Sequence, residues 1–177
     1  KNDNLQEGHA AEQLYGIIIK TLTMKKGKIL VVDDNKGIRD ALKILLGGYF
    51  AQVQTLPSPV SLLSTSESMM PDVILLDMNF KTDINSGNEG LFWLSELKKR
   101  WPEMPVVLFT AYADIALAVE GMKRGAADFV VKPWDNAKLI ETLTGIRDRK
   151  VNARASVNVN VNDGPQMFWG EGPEMQQ

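Results

Sequence analysis

The chain has 177 residues, of which 44% are hydrophobic and 24% are charged, a composition typical of a globular protein with one domain and a sizeable core. The net charge of -2 argues against direct nucleic-acid binding, and no apolar run is long enough to span a membrane, so we predict a cytoplasmic protein. The absence of cysteine excludes disulfides and thiolate chemistry, and the single histidine, His9, lies in a polar stretch that is not typical of a catalytic base.

Residues 1–23 do not belong to the regular pattern that follows them. Met24, followed by two lysines and a glycine, resembles a natural start, so we interpret residues 1–23 as an N-terminal extension. Within this extension the sequence predicts one short helix over about Glu12 to Thr21.

From about residue 25 to residue 150, short apolar runs alternate with amphipathic stretches. Runs of this kind, ending at a polar residue, are expected of strands buried on both faces of a parallel sheet. The predicted strands cover residues 28–34, 50–56, 73–77, 105–110 and 127–131. The predicted helices cover residues 36–46, 60–69, 89–101, 114–124 and 136–151. In the fourth helix, Ile115, Val119 and Met122 are predicted to face inward. The alternation predicts an α/β fold, a flavodoxin-like, doubly wound, five-stranded parallel sheet of order 2-1-3-4-5 with five helices.

Polar side chains stand at the carboxyl ends of four of these strands. They are Asp33 and Asp34 after the first strand, Asp77 at the third, Thr110 at the fourth and Lys132 at the fifth. In the 2-1-3-4-5 order these four strands are neighbours, and ligands bind at the carboxyl ends of such sheets. Each residue alone is compatible with a helix cap or a solvated loop, but all of them on one edge predict a shared site.

Three clustered carboxylates favour a bound cation. At about 5 Å and an effective dielectric constant near 20, each pair repels by about 3 kcal/mol. Oxygen ligands at an open site suit Mg²⁺, which retains waters and binds substrate phosphates. A carboxylate beside such an ion can attack phosphorus and form an aspartyl phosphate, while a nearby lysine and hydroxyl bind the phosphoryl oxygens.

These residues resemble those of a known family. The acidic pair Asp33-Asp34, the lone Asp77, Thr110 followed by alanine and Lys132 followed by proline are similar to the receiver domain of bacterial two-component response regulators. The resemblance covers about residues 25–149. It implies that Asp77 accepts a phosphoryl group from a phosphohistidine on a sensor histidine kinase. It also implies a regulatory domain that assists its own phosphorylation and dephosphorylation rather than an enzyme.

The resemblance assigns the metal site to four residues. It implies that Asp34 and Asp77 coordinate Mg²⁺ through their carboxylates and Asn79 through its backbone carbonyl. Asp33 is implied to act mainly through a bound water.

The resemblance also implies how the signal is passed on. Thr110 is the switch hydroxyl, Lys132 pairs with the phosphate, and Phe129 occupies the aromatic switch position. In this family the bond between the lysine and the following proline is usually cis. We predict that Tyr112 and Asn79 lie at the mouth of the site and tune the lifetime of the phosphorylated state, with Tyr112 shielding the phosphoryl group from water.

The output surface is predicted to be the fourth helix, the fifth strand and the fifth helix. Thr110 lies just before the fourth helix, and Phe129 lies in the fifth strand. Drawing the threonine toward a phosphoryl group would allow Phe129 to rotate from an exposed to a buried position. We predict a homodimer equilibrium on this surface that phosphorylation changes.

The regions around and after the receiver resemble a subgroup of the family. The loop over residues 79–88 is longer than usual and lacks proline, as in receivers that control sigma-54-dependent activators. Residues 151–166 are predicted to be a linker, although their alternating Val/Asn run could instead pair as an edge strand. Residues 167–177 resemble the opening of an AAA+ ATPase domain, with Gly172 where serine is usual. We therefore expect the receiver, residues 24–150, to be part of a longer transcription factor that contacts DNA only through further C-terminal domains.

Three other functions are compatible with parts of the pattern. A haloacid-dehalogenase-like phosphatase also uses an aspartate nucleophile, but it carries a second aspartate two residues later, where this chain has Asn79. A stand-alone adaptor would not need the ATPase-like sequence. A flavin-binding protein of the same fold would need a phosphate-binding loop after the first strand, where Asp33 and Asp34 would repel a phosphate.

Overall fold

The computed structural model describes residues 3–80 and 88–162. The strands are β1 (Lys28–Val32), β2 (Gln52–Leu56), β3 (Val73–Asp77), β4 (Val106–Ala111) and β5 (Asp128–Lys132). The α-helices are α1 (Asp3–Met24), α2 (Lys36–Leu46), α3 (Asn88–Arg100), α4 (Ile115–Lys123) and α5 (Asn136–Asn162). The strands form one sheet in the order β2-β1-β3-β4-β5, and all four pairings are parallel. The predicted doubly wound sheet and its strand order are thereby confirmed.

Alternate residues of the strands face two separate apolar layers. The layer between the sheet and α2 and α5 contains the buried residues Ile29, Val31, Leu42, Leu46, Phe50, Val73, Leu75, Val107, Phe109, Val130, Leu139, Leu143 and Ile146. The layer on the side of α3 and α4 includes Leu30, Val32, Ile74, Leu76, Leu91, Leu94, Leu97, Val106 and Leu108. Both faces of the central strands are covered, which explains why their sequences are continuous apolar runs rather than alternating patterns.

Arg147 anchors α5 at the amino-terminal edge of the sheet. Its buried guanidinium donates hydrogen bonds to the carbonyl oxygen of Tyr49 at 2.6 Å and to that of Lys26 at 3.3 Å. The same group lies 4.9 Å from the ring centroid of Phe50. Gly27 has a φ of 78°, and a Cβ at this position would lie 2.7 Å from Cδ of Arg147. Glycine is therefore required both by the backbone and by the arginine that passes over it.

The prediction of a helix over residues 60–69 is wrong. This segment forms two short 3-10 helices, Pro59–Ser64 and Glu67–Met69. It is rich in serine and threonine, and the hydroxyl of Ser64 donates to the carbonyl oxygen of Ser61 at 2.9 Å. Such local side-chain bonds compete with α-helical hydrogen bonding, so the amphipathic pattern did not produce an α-helix.

The helices at both ends of the described chain are longer than predicted. α1 covers 22 residues rather than residues 12–21, and α5 continues to Asn162 rather than ending near residue 151. Nη1 of Arg154 donates to Oδ1 of Asp72 at 3.0 Å, which ties an additional turn of α5 to the sheet edge. The Val/Asn run is helical as far as Asn162 and does not form an edge strand there, while its assignment as a linker stays a prediction. None of the described helices is long and apolar enough to cross a bilayer.

The inward face of α4 also differs from the prediction. Val119 and Met122 are 45% and 38% exposed, whereas Ala118 and Gly121 are buried. A Cβ at Gly121 would overlap Cδ1 of Leu108 in β4. The small residues allow α4 to approach the sheet closely, and this leaves the larger apolar side chains on the outer surface.

The domain boundaries at residues 24, 150 and 166 stay predictions. The AAA+-like residues 167–177 lie outside the described residues, as does most of the loop predicted at 79–88.

Candidate functional site

The predicted acidic residues lie together at the carboxyl edge of the sheet. In the register of the strands, Leu76 of β3 is opposite Val32 of β1, so the residues that follow, Asp77 and Asp33, stand at the same height. Asp33 and Asp77 are buried, and Asp34 is partly exposed. Carboxylate oxygens from the three acids all lie within 4.8 Å of one another. The tertiary structure therefore brings the three predicted carboxylates into one cluster.

Lys132 neutralises part of this cluster. Its Nζ donates to Oδ2 of Asp33 at 2.8 Å and to Oδ1 of Asp77 at 3.1 Å. The ammonium lies 4.6 Å from the ring centroid of Phe109, which adds a cation–π contact. The peptide bond between Lys132 and Pro133 is cis, as the family resemblance implies. Lys132 thus pairs with the two buried carboxylates of the cluster, those of Asp33 and Asp77.

The surroundings of Asp77 disfavour the ionised form of its carboxyl group. Burial raises the pKa of the Asp77 carboxyl to about 6 from its ordinary value of 3.8, and the neighbouring Asp33 adds to the increase. The backbone N–H of Asn79, which donates to Oδ1 at 3.0 Å, and the ammonium of Lys132 act in the opposite direction. A further cation at the cluster would stabilise the ionised carboxylate.

Thr110 lies at the end of β4 with its hydroxyl buried. Its Oγ1 lies 3.4 Å from the carbonyl oxygen of Ala111 and 3.5 Å from that of Asp114, to which it donates. Both distances exceed the usual range for hydroxyl hydrogen bonds, so the hydroxyl is weakly held. A better acceptor arriving at the cluster can therefore draw it away at little cost.

Phe129, assigned to the switch, and Tyr112, predicted to shield the phosphoryl group, differ in burial. Phe129 is half-buried, lies opposite Leu108 of β4 and packs against the apolar layer on the side of α3 and α4. Tyr112 is 79% exposed and begins the 3-10 turn Tyr112–Asp114 between β4 and α4. Phe129 thus packs on the same side of the sheet as α4, whereas shielding by Tyr112 stays a prediction.

Two contacts of this region were not predicted. The side chain of Asn79 donates from Nδ2 to Oδ2 of Asp114 at 2.8 Å, which connects the end of β3 with the turn after β4. Nη1 of Arg39 donates to the carbonyl oxygen of Asp33 at 2.7 Å and braces the turn after β1. Asp114 lies in a short turn and Arg39 in the first turns of a helix. Both residue types are common at such surface positions, so the sequence pattern did not indicate these contacts.

The donor set fits a hard divalent cation. Carboxylates with converging oxygens are the ligands that Mg²⁺ and Ca²⁺ prefer, whereas softer metals favour nitrogen and sulfur. Because burial is the main cause of the raised pKa of Asp77, a cation bound beside this carboxylate would stabilise its ionised form.

Comparisons with known proteins agree with this geometry. Residues 29–144 match the family described as the response regulator receiver domain. The chain is 31% identical over 153 residues to the DNA-binding transcriptional regulator NtrC of Escherichia coli (strain K12), an alignment that covers 86% of this chain and 32% of that protein. It is 33% identical over 117 residues to the response regulator protein FleR of Pseudomonas aeruginosa, which covers 64% of this chain and 23% of FleR. The chain thus spans no more than about a third of the length of these relatives.

Solved structures show the same likeness. The N-terminal signal receiver domain of a two-component system response regulator from Bacteroides fragilis is 55% identical, with a TM-score of 0.62 over 70% of this chain and 97% of that one. NtrX from Brucella abortus is 30% identical, with a TM-score of 0.65 over 76% of this chain and 29% of that one. On the sheet order, the acidic cluster and the match over residues 29–144, the chain belongs to the response regulator receiver domain family.

Proposed function

We propose that this chain is a phosphorylation-dependent signal receiver in which Asp77 accepts a phosphoryl group from a phosphohistidine of a sensor histidine kinase. The observation that carries the proposal is the position of Asp77 within the acidic cluster and beside the ammonium of Lys132. Its carboxylate lies at the end of the central strand, with Asp33 and Asp34 beside it and the ammonium of Lys132 at 3.1 Å. This arrangement supplies a nucleophile, ligands for a cation and a positive group for phosphoryl oxygens.

In the proposed transfer, one carboxylate oxygen of Asp77 attacks the phosphorus. An oxygen–phosphorus bond forms, the nitrogen–phosphorus bond to the kinase histidine breaks, and the leaving imidazole keeps the electron pair and takes up a proton. Lys132 exchanges its bond to Asp77 for one to a phosphoryl oxygen while its bond to Asp33 at 2.8 Å holds the side chain in place. The weakly held hydroxyl of Thr110 donates to a second phosphoryl oxygen.

We propose that the cation is Mg²⁺, held by the carboxylates of Asp34 and Asp77, the backbone carbonyl of Asn79 and, through water, Asp33. When bound, it supplies positive charge where the carboxylates and an incoming phosphoryl group would otherwise repel each other.

The proposed output passes through Thr110, Phe129 and α4. Movement of the Thr110 hydroxyl toward the phosphoryl group opens space beside the half-buried Phe129, whose burial would then change the surface of α4, β5 and α5. Val119 and Met122 are exposed on α4, which supports a homodimer contact on this surface. Shifting an equilibrium from 1:99 to 99:1 requires about 5.5 kcal/mol, more than one or two charge-assisted bonds provide, so the active form is expected to be partly populated before phosphorylation.

We also propose that the receiver controls a sigma-54-dependent AAA+ effector within a longer protein that acts on DNA in the cytoplasm. The alignment with NtrC supports this, because its 153 residues extend beyond the receiver match at 29–144. DNA would be contacted only by domains that follow this chain.

Incubation with a small phosphodonor and Mg²⁺ tests the acceptor. Intact mass should increase by one phosphoryl group in the wild type and in Asp128→Asn, a matched acid at the start of β5. The increase should be absent in Asp77→Asn. Full labelling of Asp77→Asn would exclude Asp77 as the acceptor.

Sedimentation of the wild type and of Thr110→Ala, each with and without a phosphoryl mimic, tests whether phosphorylation is coupled to association through Thr110. The mimic should change association in the wild type and not in the variant. Identical association in all four samples would remove this surface, or its coupling to Thr110, from the mechanism.

A further inference from the structure

A groove of about 1060 Å³ lies at the edge of the sheet opposite the acidic cluster. One wall is a stripe of α5 with helical spacing, formed by Ile146, Arg149, Lys150, Ala153, Arg154 and Val157. The other wall is the segment 100–105 between α3 and β4. Met70 and Ala127 complete the lining. Met70, Pro105 and Ala127 all precede strands, so this groove is at the amino-terminal edge, whereas Asp77 is at the carboxyl edge.

The walls of the groove are basic. Arg100, Arg149, Lys150 and Arg154 line it together with one acidic residue, Glu103. Arg154 pairs with Asp72 at 3.0 Å while 60% of its side chain stays exposed. The guanidinium of Arg100 lies 5.0 Å from the ring centroid of Trp101. Charge complementarity therefore favours an acidic occupant.

Lys150 is the most enclosed of these cations. Its Nζ lies 3.4 Å from the carbonyl oxygen of Pro71 and 3.6 Å from Sδ of Met104, and both of these acceptors are uncharged. Burial lowers the pKa of the Lys150 amine to about 8, and the positive charges of Arg154 and Lys98 contribute to the decrease. A carboxylate entering the groove would stabilise this ammonium.

Between the charged groups the groove is apolar. The side chains of Met70, Trp101, Met104, Ile146 and Val157 provide this part of the lining. Val157 is 61% exposed although it is a large hydrophobic residue on a long helix. An occupant that combines carboxylates with large apolar side chains matches both properties of the groove.

We propose that residues 163–177 of this chain, which follow α5 directly, dock in this groove. This segment contains three acidic residues, Asp163, Glu171 and Glu174, and no lysine or arginine. The large apolar residues Met167, Phe168 and Trp169 lie between Asp163 and Glu171. This docking is independent of phosphoryl transfer at Asp77.

The length of the chain allows the contact. Val157 stands five positions before the end of α5, which corresponds to about 7.5 Å along the helix axis. The seven residues from 163 to 169 can span up to about 23 Å, so Trp169 can reach back beyond Val157. Gly164 and Pro165 are residue types that end helices and begin turns. Tethering to α5 gives an effective concentration in the millimolar range, so a weak contact is sufficient.

In a longer protein, this docking would place the effector next to the receiver. Residues 167–177 resemble the opening of an ATPase domain, so docking would hold the first residues of the effector against the receiver. α5 would then connect the output surface near β5 to the effector at the opposite edge of the sheet.

A single spin label tests the contact in the intact chain, because the sequence contains no cysteine. With the label attached through Gln176→Cys, the amide NMR signals of Trp101, Lys150 and Ala153 should lose more than half of their intensity. Amides near Asp77 should keep theirs. No selective loss at the groove would overturn the proposal.

Charge reversal distinguishes specific docking from random collisions of the tail. In the labelled chain, Glu171→Lys combined with Glu174→Lys should restore the amide signals of the groove without altering the folded domain. Lys123→Glu on α4 is the matched control, and in this variant the groove signals should stay weakened. Signal loss that persists in the doubly reversed tail would contradict the proposal. A mixture of isotope-labelled chains without the spin label and unlabelled chains that carry it should show no loss. Loss in that mixture would assign the groove to a second copy and overturn docking within one chain.

Discussion

Replacement of Asp77 by asparagine is expected to stabilise the metal-free protein, although it removes the proposed phosphoryl acceptor. Folding moves this carboxyl from water, where its pKa is 3.8, into a site where burial raises the pKa to about 6. Because each pKa unit corresponds to about 1.4 kcal/mol, keeping Asp77 ionised in the folded protein costs about 3 kcal/mol at neutral pH. The amide of the variant retains an oxygen for the N–H of Asn79, and Lys132 retains Asp33 at 2.8 Å. The free energy of unfolding should therefore increase by up to about 3 kcal/mol.

The size of this gain depends on pH in a defined direction. Since the folded-state pKa of Asp77 is raised, the stability linked to this group is fully present below about pH 3.8 and is lost as the pH rises through about 6. The gain in Asp77→Asn should be largest near pH 7.5, about half as large at pH 5, and small near pH 3.5.

Urea unfolding in the presence of EDTA measures the effect at each pH. Asp128→Asn, at the opposite edge of the sheet, is the matched control and should change the free energy of unfolding by no more than about 0.5 kcal/mol. A lower stability of Asp77→Asn near pH 7.5, or a gain of equal size at every pH, would refute the electrostatic reasoning.

Millimolar Mg²⁺ should raise the melting temperature of the wild type by mass action, and Asp34→Ala should remove most of this rise; equal rises in calorimetry would place the ion elsewhere. Tyr112→Ala should shorten the lifetime of the phosphoryl group by admitting water, and an unchanged or longer decay time in a labelling time course would count against shielding. Gly121→Ala should lower the free energy of unfolding by about 1–3 kcal/mol, because its Cβ would overlap a buried leucine of β4, whereas Gly145→Ala, which has open space at the same atom, should raise it by about 0.5–1 kcal/mol. Equal effects of the two substitutions on urea unfolding would contradict the close approach of α4 to the sheet. Lys150→Met should raise stability near pH 7. Because the folded-state pKa of this lysine is lowered to about 8, the gain should decline as the pH rises from about 8 toward 10.5, and a gain that grows over this range in urea unfolding would be inconsistent with a buried ammonium.

Local sequence was sufficient to predict the strands and the edge at which the acids lie. A strand of a parallel sheet is buried on both faces, so it must be a continuous apolar run, and a polar residue directly after the run must emerge at its carboxyl end. This is why Asp33, Asp34 and Asp77 were expected together and why their oxygens do lie within 4.8 Å of one another. Their roles in binding Mg²⁺ and accepting a phosphoryl group stay predictions.

Local sequence was insufficient where another interaction competed with the pattern. Hydroxyl side chains between residues 58 and 69 bond to nearby backbone groups and convert a predicted α-helix into 3-10 turns. The alternating Val/Asn run after residue 155 is typical of a strand, yet it continues α5 as a helix. Arg154 holds this part of α5 near the sheet edge through its hydrogen bond to Asp72, which lies 82 positions earlier in the chain.

Only the tertiary structure decided the properties that depend on residues far apart in the sequence. Lys132 contacts carboxylates that precede it by 99 and 55 positions, and the raised pKa of Asp77 results from burial at the meeting point of three strands. The face that α4 turns inward was decided by the space above Leu108, which admits Gly121 and leaves the larger Val119 outside. Sequence periodicity shows which residues share a face of one helix or strand. The burial of those residues, their distance to charged groups and the closeness of their packing depend on the neighbouring helix or strand that covers that face.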